Sequence, residues 1–287
     1  MKFRSLRGRS FEGDETLGGE KMKCRTIVIT SGKGGVGKTT ATANIAAALA
    51  QSGYKVVAVD GDVGLRNLDV IMGLENRIVY TLIDVIEGNC RLNQALIRDK
   101  RLDSLYMIPT AQSKTKDAVS AEQMEKICAD LAPDFDFILI DSPAGIEAGF
   151  RNAAAGAAEA LVVTTPEVSA VRDADRIIGL LESMGKSPIK LIVNRIRPEM
   201  VKRGEMLSVD DVLDILAVDL VGVIPDDKSI ITSANSGEPL IFSAATKAGE
   251  AFKNISKRIC GERVPFMDLF DNDGGVWASI RRFFSKG

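Results

Sequence analysis

The run TIVITSGKGGVGKTT occupies residues 26–40. Its opening, Thr26–Thr30, is β-branched at every position, the pattern of a strand buried on both faces. Gly32–Thr39 then satisfies GxxxxGK[ST], and the Ala-rich Thr40–Ala50 reads as a helix. Strand, glycine-rich turn and helix in that order form the context in which this pattern cradles phosphate. The glycines let backbone N–H groups wrap phosphate oxygens with no Cβ in the way, and the helix adds its positive end. The cradle runs through Gly34, Gly35, Val36, Gly37, Lys38, Thr39 and Thr40. Lys38 is placed to neutralise the β- and γ-phosphates, and the Thr39 hydroxyl to ligate Mg²⁺.

Outward from this run the chain keeps alternating short β-branched segments with longer helical ones. Further strands are expected at 55–60, 104–108, 135–141, 160–164, 189–194 and 220–224. Helices are expected near 38–51, 120–131, 168–184, 208–217 and 244–259. That alternation demands parallel pairing with right-handed crossovers: a doubly wound α/β domain, mostly parallel, with helices on both faces. The domain is expected over residues 23–260, followed by an acidic, Gly-rich linker at 261–275 and a terminal segment at 276–287. Residues 1–22 carry Arg4, Arg7 and Arg9 but also Glu12, Asp14 and Glu15. Transit peptides are poor in acid, so the reading is a disordered leader before an alternative start at Met22.

Composition narrows the chemistry. The 287 residues are 45% hydrophobic, with 37 Lys plus Arg against 39 Asp plus Glu, a net charge of −2. A globally basic nucleic-acid binder is not expected. Histidine is absent, which excludes a His triad, a His metal site and a His general base. Cys24, Cys90, Cys128 and Cys260 form no CxxC pair, so neither a disulfide framework nor an iron–sulfur site is expected, and a reducing cytosol is the natural setting. No window approaches a membrane-spanning length of apolar residues.

Three further positions bear on the phosphate site. Lys33 is a second lysine at the start of a loop that needs one. It reads either as a solvated surface residue or as a charge reaching a triphosphate held by another subunit, as an arginine finger does. Asp141 ends the buried run Phe135–Ile140, where a carboxylate faces the ligand crevice and can hold Mg²⁺ through water. Asp60-Gly61-Asp62 ends the second strand. Asp62 is favoured as the group that orients or deprotonates the attacking water, close to Mg²⁺, with Asp60 as a structural or metal-supporting group.

Together SGKGGVGKTT (31–40), DGDVGLRNLDVIMGLENR (60–77), NQALIRDKR (93–101), DSPAGIE (141–147), TTPEVSAVRDADRI (164–177) and LVGVIPDD (220–227) carry a resemblance. They resemble the deviant Walker A (ParA/MinD) family of P-loop ATPases, in its division-site-selection branch, from about Arg25 to the last residue. The resemblance implies that Lys33 is the signature lysine acting across an ATP-bound dimer, Asp62 the switch carboxylate and Asp141 the Walker B group. It places base contacts on Asn194, Pro225 and Asp226, and with them adenine specificity. It implies ATP and Mg²⁺ as ligands. As partners it implies a second copy of the chain, a MinC-like division inhibitor and a MinE-like or equivalent topological factor, with no nucleic acid. The expected place is the cytoplasm and the inner face of the cell membrane, a plastid being the other host. A ParA-type DNA-segregation ATPase and a related flagellar-number regulator are the alternatives.

At 100° per residue, Val276, Trp277, Ile280, Phe283 and Phe284 share an arc of roughly 120°. Arg281, Arg282 and Lys286 flank it. An aromatic and aliphatic face with basic flanks describes a helix lying in an anionic membrane interface, favoured here over a helix docked on the protein's own surface.

Overall fold

The computed structural model describes residues 23–112, 118–243 and 245–269. Among them are strands β1 (Arg25–Thr30), β2 (Val56–Asp60), β3 (Ile97–Arg98), β4 (Leu105–Ile108), β5 (Phe137–Asp141), β6 (Glu159–Thr164), β7 (Ile189–Ile196) and β8 (Asp219–Pro225). The helices are α1 (Lys38–Gln51), α2 (Leu68–Met72), α3 (Leu82–Ile86), α4 (Leu92–Ala95), α5 (Ala121–Leu131), α6 (Ala148–Ala155), α7 (Val168–Ser183), α8 (Pro198–Lys202), α9 (Val209–Leu216), α10 (Lys228–Asn235) and α11 (Lys247–Ile259).

The strands form one sheet in the order β3-β4-β2-β5-β1-β6-β7-β8. Every pairing is parallel except β3 with β4. β1 lies between β5 and β6, so the turn that leaves it opens at the centre of the sheet's C-terminal edge. The expected doubly wound α/β architecture is therefore observed. β2 and β5 are buried at every residue, because helices cover both faces. One core joins Val28, Val57, Ile138 and Ile140 to Phe150, Ile177 and Val212. The other joins Ile27, Ile29 and Leu139 to Ile45, Leu49, Phe252 and Ile255.

The composition of α1 fits its place. Ala41 and the run Ala46–Ala48 are buried between the sheet and α11, and small side chains let this helix approach closely without a polar face. α5 and α9 begin with capping boxes, Ser120 with Gln123 and Ser208 with Asp211.

The strand and helix expectations hold to within a few residues, but short elements escaped them. β3 has two residues, and α2, α3, α4 and α8 have four or five, too few to show a period. α6 and α10, with eight residues each, were also missed. The segment 261–269, expected to begin a linker, lies against the body. Arg258 donates to the carbonyls of Val221 at 3.0 Å, Val264 at 2.9 Å and Pro265 at 2.8 Å. Its guanidinium stands 4.0 Å over the Phe266 ring, and Leu269 is buried. The expected leader (1–22), the remaining linker (270–275) and the terminal helix (276–287) lie outside the described residues. Among the described residues no helix is long and apolar enough to cross a membrane.

Candidate functional site

The phosphate loop passes from β1 into α1 through Gly37, whose φ of 100° belongs to the left-handed region. A Cβ there would lie 2.4 Å from Asn194 Nδ2, so glycine is required by conformation and by space. Gly32 sits against α7, where a Cβ would fall 2.3 Å from the Asp173 backbone. Asn194, on β7, donates from Nδ2 to the Val36 carbonyl at 2.7 Å and accepts from the Arg195 amide at 2.9 Å. It thereby clamps the loop to the sheet, a function beyond the base contact expected of it.

Lys38 is buried at the start of α1, near Asp141 at the end of β5. The Thr42 hydroxyl donates to Asp141 Oδ1 at 3.0 Å, and the Thr39 hydroxyl also hydrogen-bonds this carboxylate. Burial pushes the Asp141 carboxyl up to about 6, against the pull of Lys38 and the two hydroxyls. Across the sheet Asp141 pairs with Asp60, the last residue of β2. Asp60 is fully buried; burial and then the Asp141 charge push it well above the carboxylate range. Its Oδ1 accepts the Asp62 amide at 3.0 Å, while Oδ2 has no hydrogen-bond partner among the described residues. Asp62 is 8% exposed at the start of the following turn. Thr42 was invisible as a site residue, because nothing in the sequence marks which face of α1 meets β5.

The structure thus gathers Lys38, Thr39, Asp60, Asp62 and Asp141 at one point. Among the described residues no group of three or more acidic or cysteine side chains forms a metal cage. Mg²⁺ needs none: it keeps several waters and takes one or two protein oxygens with the substrate phosphates. Buried carboxylates pushed towards protonation, beside a threonine hydroxyl, are a donor set that a hard cation would relieve. The residues present fit it.

Lys33 turns away from its own loop. Its Nζ lies 3.4 Å from Ser169 Oγ and 3.7 Å from Glu167 Oε2, at the N-terminal end of α7, and its side chain is 46% exposed. At the end of β7, Arg195 has a φ of 59° and Arg197 Nε meets Asp226 Oδ2 at 2.6 Å. Asp226 follows Pro225, the last residue of β8. A cleft of about 650 Å³, lined in part by Pro166, Val168, Arg195, Arg197 and Leu207, opens here and has room for a purine ring.

Comparison with known proteins gives the family. The family profile "CobQ/CobB/MinD/ParA nucleotide binding domain" matches residues 27–240. The septum site-determining protein MinD of Synechocystis is 57% identical over 259 residues, covering 90% of this chain and 97% of that protein. The chain belongs to the MinD family. MinD proteins are P-loop ATPases that determine the septum site in cell division, and this chain is one of them. The MinC:MinD complex of Aquifex aeolicus superposes with a TM-score of 0.80 at 49% identity, covering 85% of this chain and 99% of that one. The MinD of Pyrococcus horikoshii, solved with Mg-ADP, gives 0.74 at 31% identity, covering 82% and 96%.

Proposed function

We propose that this chain is a membrane-associated ATPase that pairs with a second copy of itself when it holds Mg·ATP and then recruits a division inhibitor. The observation that carries the reading is the outward Lys33, which leaves the in-cis charge to Lys38 and stands exposed where a neighbour's phosphates could meet it.

In this reading the loop amides Gly34–Thr40 and Lys38 hold the phosphates, and Lys33 of each copy adds positive charge across the pair. Thr39 would ligate Mg²⁺ and Asp141 would support it through water, with Asp62 close by. When bound there, Mg²⁺ would supply positive charge against the charge that develops on the phosphates. Asp62 orients the attacking water from the turn after β2. The base is assigned to Asn194, Pro225 and Asp226, which do not themselves line the cleft; Arg195, next to Asn194, and Arg197, paired with Asp226, do line it.

Magnitudes support nucleotide control of the terminal helix. Half-burying its five large apolar residues yields about 5 kcal/mol, and the three basic residues add about 1 kcal/mol each near anionic lipid. Ordering about 12 residues opposes this at roughly 1 kcal/mol or more per residue, so one tail grips weakly. Two tails on one dimer gain about 10²–10⁴ in avidity. The relative solved in complex with MinC supports a MinC-like partner; a MinE-like or equivalent factor would stimulate release. A near-neutral charge disfavours the DNA-segregation alternative.

The test is co-sedimentation with anionic vesicles in ADP, in ATP and without nucleotide. Binding is expected with ATP alone, together with a blue shift of Trp277 emission. Lys33→Ala loses pairing, hydrolysis and vesicle binding; Asp62→Ala stays paired and bound; truncation before Val276 stays in the supernatant. Equal sedimentation in ADP and ATP refutes the proposal.

A further inference from the structure

We propose that Asp69, acting through Arg66, is a positioning residue for hydrolysis, holding the turn that carries Asp62 in line with the attacking water. The inference rests on the assignment of Asp62 above.

Between β2 and α2 the chain makes a tight turn. The Asp62 carbonyl accepts from the amides of Leu65 at 3.2 Å and Arg66 at 3.4 Å. The Gly64 amide reaches the Ala111 carbonyl at 3.1 Å, and the Val63 side chain plugs into the apolar core. Two residues of the turn adopt the left-handed conformation, Gly64 at φ 96° and Arg66 at φ 42°. Glycine does so freely. A residue with a long side chain does so at a cost, and stays there only where its surroundings hold it.

What holds Arg66 is an ion pair. Its Nε lies 2.9 Å from Asp69 Oδ2; the Asp69 side chain is 0% exposed and that of Arg66 20%. Burial pushes the Asp69 carboxyl up and the Arg66 charge pulls it back. A buried carboxylate without its counter-charge is strongly unfavourable, so the guanidinium is not readily released. The pair is one of charge and distance, since neither Arg66 Nε nor the Asp69 carboxylate oxygens make a hydrogen bond among the described residues, and the Arg66 amide ties it to the Asp62 carbonyl at 3.4 Å.

Asp69 in turn stands on a fixed element. Leu68 and Met72 on either side of it in α2 are fully buried. Arg101 donates to the Met72 carbonyl at 2.7 Å and to the Gly237 carbonyl at 3.4 Å, and is itself paired to Asp99 at 2.6 Å. The backbones of Gly73 and Gly237 meet so closely that a Cβ on Gly73 would lie 2.3 Å from the Gly237 oxygen. The chain of restraint therefore runs from the body through α2, Asp69 and Arg66 to the carbonyl of Asp62. Substrate binding uses other elements, the phosphate loop and the cleft beside β7. The clamp accordingly governs the chemical step and not the affinity for ATP.

Single-turnover hydrolysis of Mg·ATP by the full chain tests this, with Asp69→Asn, Arg66→Gln, the double variant, Arg66→Lys and Asp62→Ala, alongside KM for ATP and ATP-dependent pairing. Asp69→Asn and Arg66→Gln are each expected to slow hydrolysis by at least about tenfold, since an error of an ångström in placing a reacting group costs about a hundredfold. KM stays within about twofold, pairing persists, the double variant is no slower than either single one, and Arg66→Lys recovers part of the rate. Should a single variant fail to fold, the double variant leaves no unpaired charge and gives the same slow rate. A folded Asp69→Asn that hydrolyses at the wild-type rate, beside an inactive Asp62→Ala, overturns the clamp alone. An Asp62→Ala that hydrolyses normally overturns the assignment of Asp62 and the clamp with it.

Discussion

Replacing Asp141 by asparagine removes a negative charge that the fold buries next to Asp60 and Asp62. Its carboxyl is lifted from an ordinary 3.8 to about 6, mainly by burial. The attractions of Lys38, Thr39 and Thr42 already lie within that net value. The folded chain therefore holds the Asp141 proton more tightly than the unfolded chain does. Between about pH 4 and about pH 6 the native state binds more protons, so this group's contribution to stability falls as pH rises through that window. Above it the charged carboxylate costs the fold about 3 kcal/mol relative to a neutral side chain. Asn mimics the protonated form. In EDTA and without nucleotide, Asp141→Asn is expected to raise stability at pH 7 by up to about 3 kcal/mol, or about 5 °C in Tm for a chain of this size. The gain shrinks to nothing near about pH 4. With Mg·ATP the order reverses, because the variant lacks the carboxylate that supports the metal and gains little from the ligand. Scanning calorimetry across pH, with and without Mg·ATP, measures both effects. An Asp141→Asn chain that is less stable than wild type in EDTA at pH 7 refutes the reasoning, since burial would then not be what raises this carboxyl.

Gly37→Ala places a methyl group 2.4 Å from Asn194 Nδ2 at a φ of 100°; nucleotide titration should show affinity reduced by about a hundredfold or more, and unfolding a loss of about 2 kcal/mol. Asn194→Ala removes the bond to the Val36 carbonyl and frees the loop from β7; an affinity loss of about tenfold is expected, with most of the fold's stability kept. Arg258→Ala releases the carbonyls of Val221, Val264 and Pro265 together with the stacking on Phe266; denaturant unfolding should show a loss of about 2 kcal/mol, and amides of residues 262–269 should exchange faster in hydrogen exchange.

The sequence alone determined the architecture and the phosphate site, because both are local. Consecutive β-branched or apolar residues at Thr26–Thr30 and Phe137–Ile140 mark strands covered on both faces, and a glycine-rich turn followed by Lys38 and Thr39 needs only its own neighbours to bind phosphate. It also marked Asp141, since a carboxylate at the end of a buried parallel strand points into the crevice, and Asp62, two residues past the end of another such strand. Only the tertiary structure decided which distant side chains lock that site. Thr42 meets Asp141 across 99 positions, Asn194 meets Val36 across 158, and Arg258 holds a segment that reads as linker because its restraint comes from a helix end and a strand start. Arg66 and Asp69 are three residues apart, yet their spacing says nothing until α2 is seen buried and fixed to the body by Arg101. Periodicity and motifs report how a segment meets solvent and its own neighbours in the chain. The restraints that orient a catalytic group come from contacts closed by folding, and those leave no period behind.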